Sequence, residues 1–230
     1  DYLSRYEPDN NDVTIVAANR LRSYGDITSG GTIYLHLDPD AYFGSAFTAG
    51  PGDLVVGGNL SANGSVDIVN GGSGEVYVDG TAAIVADADS SGGPDHIQIT
   101  SDGQIISAAG STLVVGAAGA TTGDVTLTAA GTDSPGYSAI DLSGDIDADT
   151  LTLDADNGSI HLADGTITVA EALDITNSFH IVMDTPAVIN GASDVSMTAG
   201  LSLRVNGTVY SGGDIDLLVR GRNALDLTAG

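Results

Sequence analysis

The chain of 230 residues contains no cysteine, no tryptophan and no lysine. Without cysteine it cannot be a disulfide scaffold, although this does not fix the compartment. No apolar run approaches the ~18 residues of a transmembrane helix, which predicts that no segment spans a membrane. A basic region followed by an apolar one is missing at the start. We therefore expect any export signal to have been removed or to lie outside this sequence.

Positive charge is scarce and confined to the two ends of the chain. The formal net charge is −25, and all six basic residues are arginines: Arg5, Arg20, Arg22, Arg204, Arg220 and Arg222. Such a chain repels phosphate, which excludes nucleic acid as a partner and disfavours an anionic membrane surface. The charge is compatible with bound cations.

Apolar residues recur as doublets separated by one polar residue, as in Leu151/Leu153 and Leu173/Ile175. This alternation is typical of a short strand with one buried face, and Gly, Asn and Asp interrupt any helical spacing. Three interleaved series of such positions share one spacing of about 21 residues, a period typical of solenoid repeats. They are Leu151, Leu173, Val195 and Ile215; Ile160, Ile181 and Leu201; and Ile146, Ile167, Val188 and Val209, with Val13, Ile33, Val66, Ile84 and Leu113 as upstream members of the first.

This spacing predicts an all-β fold, a right-handed parallel β-helix (solenoid), because repeats of this length bury their apolar face only by stacking. We expect about 21 residues and three short strands per coil, in roughly nine to eleven coils. An antiparallel β-sandwich is the alternative. One domain over residues 1–230 is predicted, with a possible N-terminal lid over 1–12. Loop insertions are expected near 38–52, 87–95 and 129–138, where Gly, Pro, Asp or Ser cluster.

Several segments share the pattern G-D-[IV]-x-L and resemble filamentous haemagglutinin repeats. They are "GDVTLTAAG" (123–131), "GDIDADTLTLDADNGSI" (144–160), "SDVSMTAG" (193–200), "GGDIDLLV" (212–219) and "ALDLTAG" (224–230). Proteins of that family are large exported adhesins of bacterial surfaces with right-handed β-helix shafts. The resemblance, which covers roughly residues 50–230, implies export, surface exposure and attachment.

The sequence predicts no catalytic residues. A β-helix lyase needs a basic residue beside a carboxylate, and no Arg or Lys occurs between Arg22 and Arg204. Aspartates occur at nearly every turn, so no hydrolase pair stands out. The four histidines, His36, His96, His161 and His180, lack metal-ligand spacing and are interpreted as isolated polar residues on strands. We expect that the protein is not an enzyme.

One loop, "DADSSGGPDHIQ" (87–98), resembles the first half of an EF-hand calcium loop. Asp87, Asp89 and Ser91 would supply oxygens and Asp95 a water-mediated ligand, although Gln98 replaces the usual bidentate Glu. A solvated acidic turn is the alternative. No cofactor is expected to be required, and Ca²⁺ is the candidate ion. The sequons at Asn59, Asn63, Asn157 and Asn206 would permit N-glycosylation in a cell that performs it.

These observations predict an extracellular structural and adhesive protein, a β-helical shaft or filament segment of a cell-surface adhesin. Other copies, or further repeats, are expected to join it end to end, and a host-cell glycan or protein is a candidate partner. The aromatic residues Tyr42, Phe43 and Phe47 make the loop 38–52 the first candidate for such a contact. The alternative function is a carbohydrate-binding or carbohydrate-active β-helix, either a lyase or hydrolase or a tailspike-like protein.

Overall fold

The computed structural model describes residues 3–6, 11–18, 20–38, 52–89, 95–116, 123–131, 138–177, 179–221 and 225–227. These ranges contain 25 β-strands and no helix. The strands are β1 (Leu3–Tyr6), β2 (Val13–Ala17), β3 (Leu21–Ser23), β4 (Ile27–Ser29), β5 (Ile33–Leu37), β6 (Leu54–Val56), β7 (Leu60–Ala62), β8 (Val66–Asn70), β9 (Glu75–Val78), β10 (Ala83–Ala86), β11 (His96–Ser101), β12 (Gln104–Ser107), β13 (Thr112–Val115), β14 (Asp124–Ala129), β15 (Ser138–Leu142), β16 (Asp145–Ala155), β17 (Ser159–Leu162), β18 (Thr166–Asn177), β19 (His180–Met183), β20 (Val188–Gly191), β21 (Asp194–Ala199), β22 (Ser202–Val205), β23 (Thr208–Ser211), β24 (Ile215–Val219) and β25 (Leu225–Leu227).

The strands form two sheets around one core. The larger sheet has 16 strands in two limbs, one running from β1 through β2, β5, β8, β11 and β14, the other from β4 through β7, β10 and β13. Both limbs meet at β16 and continue through β18 to β20, β21, β23 and β24. The smaller sheet has nine strands in the order β25-β22-β19-β17-β15-β12-β9-β6-β3. At about 4.8 Å between strands, those nine extend over roughly 40 Å. Among the described strands, only β1 pairs antiparallel, with β2.

The prediction of an all-β fold is confirmed, but the right-handed parallel β-helix with three short strands per coil is wrong. The strands form two parallel sheets, and the larger one bends back on itself so that its limbs enclose the core. Two of its strands are long, with 11 residues in β16 and 12 in β18. The predicted coil spacing also fails upstream, because Ile33 pairs with Val66 and Val66 with Ile97, and these partners lie much further apart in the sequence.

The physical reason lies in the residues at the bend. Three short strands per coil require a turn after every apolar doublet. The segments "DADT" (147–150) and "VAEAL" (169–173) contain no Gly, Asn or Pro, so strand pairing continues around the bend. One extra residue in β18 is accommodated by a register shift after the Ala148–Val169 pair. A β-bulge of this kind bends a strand without ending it.

The predicted core ladders are confirmed. Leu151 pairs with Leu173 and Leu173 with Val195, while Leu153, Ile175 and Met197 form the adjacent ladder. All six side chains are buried, and the residues between them, including Asp174, face outward. Each ladder places aliphatic side chains of similar size one above another, which accounts for their almost complete burial.

Other members of the predicted series are shifted. Ile167 pairs with Ile189 instead of Val188, and Ile181 pairs with Leu203 instead of Leu201. In both places the apolar residues are one or two positions apart, and the turn between strands decides which one enters the core. Ile84 and Leu113 also belong to a different series from the one predicted. They pair with each other in the second limb, between Leu60 and Ile146.

Buried polar side chains stabilise the corners where strands end. Asn70 is fully buried; its Nδ2 donates to the Gly52 carbonyl and its Oδ1 accepts from the Gly72 amide. Asn177, in the same ladder, donates to the Gly158 carbonyl. Among the described residues, no buried side-chain nitrogen or oxygen lacks a hydrogen-bond partner. The corners thus satisfy backbone groups that a tight turn would leave unpaired.

The predicted loop insertions lie largely outside the described residues, which omit 39–51, 90–94 and 132–137. The aromatic residues Tyr42, Phe43 and Phe47 are therefore outside as well. The single domain over 1–230 and the lid over 1–12 stay predictions. Strand β1, which lies within residues 1–12, pairs antiparallel with β2.

We predict that Leu173→Ala lowers the free energy of unfolding by about 2–5 kcal/mol, because it removes buried contacts and leaves a cavity. Leu173 is 2% exposed. The neighbouring Asp174→Ala, on the outer face, should change it by no more than about 0.5 kcal/mol. Urea denaturation of both variants checks this, and similar losses at the two positions would contradict the register.

Candidate functional site

The predicted calcium loop begins at the corner after β10. Asp87 is fully buried and has a positive φ of 50°, while Asp89 is exposed. Asp95 lies on the other side of residues 90–94, which include Ser91 and are outside the described ranges. Asp87 and Asp89 thus end the segment after β10, Asp95 directly precedes β11, and the position of Ser91 is not described.

The carboxyl group of Asp95 is influenced by the other two aspartates of this corner. Burial, followed by the charges of Asp87 and Asp89, raises the pKa of the Asp95 carboxyl. The charge of His96 and a hydrogen bond with Ser65 lower the pKa of Asp95. Among the described residues, no three His, Cys, Asp or Glu side chains are arranged to hold a metal ion. Calcium binding at this corner stays a prediction.

His96 is not the isolated strand residue that the sequence suggested. Its Nδ1 lies 3.1 Å from Ser65 Oγ and its Nε2 lies 3.0 Å from Asp67 Oδ1, so it contacts both residues on or beside the neighbouring strand β8. Ser65 is only 8% exposed, and its Oγ already accepts a hydrogen bond from the His96 amide. This Ser–His–Asp contact therefore ties β8 to β11 and leaves the hydroxyl poorly placed to attack a substrate.

A second histidine cluster lies on the outer face of the nine-stranded sheet. His161 Nδ1 is 3.3 Å from Asp141 Oδ1, and its Nε2 is 2.9 Å from Asp184 Oδ2. Arg204 approaches the same Asp184 at 3.7 Å. Sequence reasoning missed these contacts, although the register places Asp141 directly beside His161. The cluster links adjacent layers of this sheet through exposed, solvent-screened pairs.

A groove of about 320 Å³ lies on the outside of the larger sheet, beside the bend in β16 and β18. Four of its residues occupy one row of paired positions across β16, β18, β20 and β23: Asp147, Thr168, Asn190 and Tyr210. Tyr210 is 62% exposed. Burial, followed by the charge of Asp149, raises the pKa of the Asp147 carboxyl. No sequence motif indicated this groove, because its residues come from separate strands and meet only through the register.

In the last described strand layer, apolar side chains are exposed at positions that are buried in the layer before it. Ile215, Leu225 and Leu227 are 47%, 46% and 55% exposed. Their pairing partners Val195, Leu203 and Val205 are 0%, 0% and 7% exposed. We call the surface formed by β24 and β25 the C-terminal edge. Its apolar side chains sit at core positions that no described strand covers.

The predicted glycosylation sequons lie at corners. Asn59 and Asn157 are exposed, and Asn63 and Asn206 are partly exposed. The Asn59 side-chain oxygen accepts a hydrogen bond from the Ala83 amide, which engages that side chain in the fold. Glycan attachment at these four positions stays a prediction.

No protein-family model matches the chain, and no curated protein or solved structure is significantly similar to it. Across the described residues, the structure has no helix with the length and apolar character needed to cross a membrane.

We predict that millimolar Ca²⁺ raises the Tm beyond the rise given by NaCl at matched ionic strength, because a bound cation offsets the mutual repulsion of Asp87, Asp89 and Asp95. The extra rise should vanish in Asp87→Asn/Asp89→Asn and persist in the matched pair Asp154→Asn/Asp156→Asn. Thermal denaturation with and without each salt checks this. Equal rises in the Tm of the wild type with Ca²⁺ and with NaCl would contradict calcium binding and indicate a solvated acidic turn.

We also predict that Asp154→Asn raises the free energy of unfolding at neutral pH. Burial, followed by Asp156 and Asp174, raises the folded-state pKa of Asp154 above its usual 3.8, so the ionised carboxylate destabilises the fold. The stabilisation linked to protonation is complete below pH 3.8 and is lost as the pH rises through the raised pKa. The advantage of the variant should therefore shrink on acidification.

The control for this experiment is Asp102→Asn, which changes the net charge equally at an exposed corner. Denaturant unfolding as a function of pH measures both variants. A gain no larger than that of the control at neutral pH, or one that is independent of pH, would contradict the assignment.

Proposed function

We propose that the protein is an exported structural and adhesive protein, a shaft or filament segment of a cell-surface adhesin, and that its units join end to end. The observation that carries this proposal is the C-terminal edge. In sequence it is supported by the resemblance of residues 50–230 to filamentous haemagglutinin repeats.

The C-terminal edge offers both kinds of interaction that another strand layer needs. Outward-facing backbone N–H and C=O groups of edge strands are available for pairing with a further strand. A further strand layer would also bury the half-exposed side chains of Ile215, Leu225 and Leu227, just as their pairing partners in the preceding layer are buried. A second copy of the chain with a compatible edge would continue both the pairing and the core ladders.

An opposite edge exists at the other end of the described strands. Within the described residues, β3 pairs with β6 alone and β4 with β7 alone, whereas the antiparallel β1 covers β2. The two ends therefore differ, and contact between them is head-to-tail. Head-to-tail contacts that do not close into a ring give open filaments.

Charge supports contact at the ends over contact along the sides. No Arg or Lys occurs between Arg22 and Arg204, so the flanks of two molecules repel each other. Arg204 and Arg220 lie in the last two strand layers and partly offset Asp216 and Asp226 there. Salt should strengthen the association because it screens the remaining repulsion.

A carbohydrate-binding or carbohydrate-active protein is the second candidate function. The groove beside Tyr210 favours its binding form, since an exposed aromatic ring and polar side chains share one concave surface. Turnover of a polysaccharide by the purified protein would favour the enzymatic form and contradict the structural proposal.

We expect the mass of the wild-type particle to grow with protein concentration, and Ile215→Asp and Leu225→Asp to abolish the growth by placing a charge in the contact. Tyr34→Asp is the control, because Tyr34 is 40% exposed on β5, which is paired on both sides and so belongs to neither edge. Light scattering and electron microscopy over a concentration series measure this. A wild-type mass independent of concentration, or equal disruption by Tyr34→Asp, would contradict the proposal.

A further inference from the structure

The row Asp147, Thr168, Asn190 and Tyr210 places four chemically different side chains on one outer face. Each residue pairs with the next on the neighbouring parallel strand, so the row has the spacing of the strands, about 4.8 Å per step and roughly 14 Å in all. Strand pairing fixes their order. The result is a line of carboxylate, hydroxyl, amide and aromatic ring.

The surface beside this row is concave. The extra residue of β18 lies at the bend, at Ala170–Glu171, and Ala170, Gly191 and Ala192 form the apolar part of the groove surface. Its volume of about 320 Å³ is at the small end of the range for ligand pockets, ~300–1,000 Å³. The groove therefore suits a small ligand or a short section of a longer one.

We propose that this groove binds a neutral saccharide, with a sugar ring against the Tyr210 side chain and its hydroxyls on Asn190, Thr168 and Asp147. The apolar face of a sugar ring packs well on an exposed aromatic ring. Sugar hydroxyls both donate and accept hydrogen bonds. The Asn190 amide and Thr168 hydroxyl do the same, while the Asp147 carboxylate accepts.

Two other ligand classes fit less well. Anionic saccharides would meet Asp147 in the groove, the charge of Asp149 close to it, and a net charge of −25 on the chain. A cationic peptide needs acceptors and an aromatic ring, and it would leave the donors of Asn190 and Thr168 without a role. The mixed donors and acceptors of the row point to hydroxyl groups.

The strand spacing adds a geometric argument. A step of about 4.8 Å along the row is close to the length of one sugar unit in an extended glycan. Successive units could thus contact successive residues of the row. The side chains of this row face outward from the sheet, whereas the association proposed above uses Ile215 of β24 and Leu225 of β25, so each can fail without the other.

The test is binding of immobilised neutral tetrasaccharides of gluco, manno and galacto configuration, measured by surface plasmon resonance. A sulfated tetrasaccharide and a lysine-rich peptide are the comparators. We expect wild-type protein to bind at least one neutral tetrasaccharide more tightly than either comparator. Tyr210→Ala should weaken binding about ten-fold or more, as truncation of a central aromatic anchor does, and Asn190→Ala should also weaken it.

Tyr34→Ala is the matched control, since Tyr34 is an outward, 40% exposed tyrosine on β5, far from the row in the strand order. It should bind as the wild type does, and all variants should keep the wild-type Tm because the altered side chains face outward. No binding of any neutral tetrasaccharide, tighter binding of the peptide or the sulfated sugar, or equal losses in Tyr34→Ala and Tyr210→Ala would each overturn the proposal. Unchanged mass growth of Tyr210→Ala in light scattering would separate this site from the C-terminal edge.

Discussion

In-register parallel pairing is the constraint on which the rest of this structure depends. Each strand places an aliphatic residue over one of similar size in the next layer, as Leu151, Leu173 and Val195 do. The core is therefore continuous along the stack, and no layer is buried without its neighbours. The same register that stacks the core also stacks outward residues, which produces the row from Asp147 to Tyr210.

The register could be predicted from the sequence where strands recur at a nearly constant spacing without interruption. There, apolar doublets alternate cleanly with polar residues, and the ladder from Leu151 to Ile215 was assigned correctly. The prediction of the register failed where two neighbouring apolar residues could each occupy one core position, as Val188 and Ile189 could. There the geometry of the turn determines which of them is buried. Upstream, where paired residues lie further apart in the sequence, Ile84 and Leu113 were placed in the wrong series.

The sheet organisation could not be predicted because a bend leaves no required mark in the sequence. Turns containing Gly or Asn end most strands, but β16 and β18 cross the bend on Asp, Ala, Thr and Glu. Of the candidate sites, the acidic corner at Asp87 was visible as a local motif. The groove and the His96 contacts were invisible, since they combine single residues from separate strands that only the register brings together.

The stacking that builds the core leaves apolar side chains exposed on β24 and β25, and the proposed function rests on that edge. Hydrogen exchange of backbone amides in β24 and β25, measured at low and high protein concentration, tests it most directly. If the molecules associate through this edge, the protection of these amides rises with protein concentration, while the protection of amides in β21 and β22 stays constant. Equal, low protection of β24 and β25 at every concentration would contradict it.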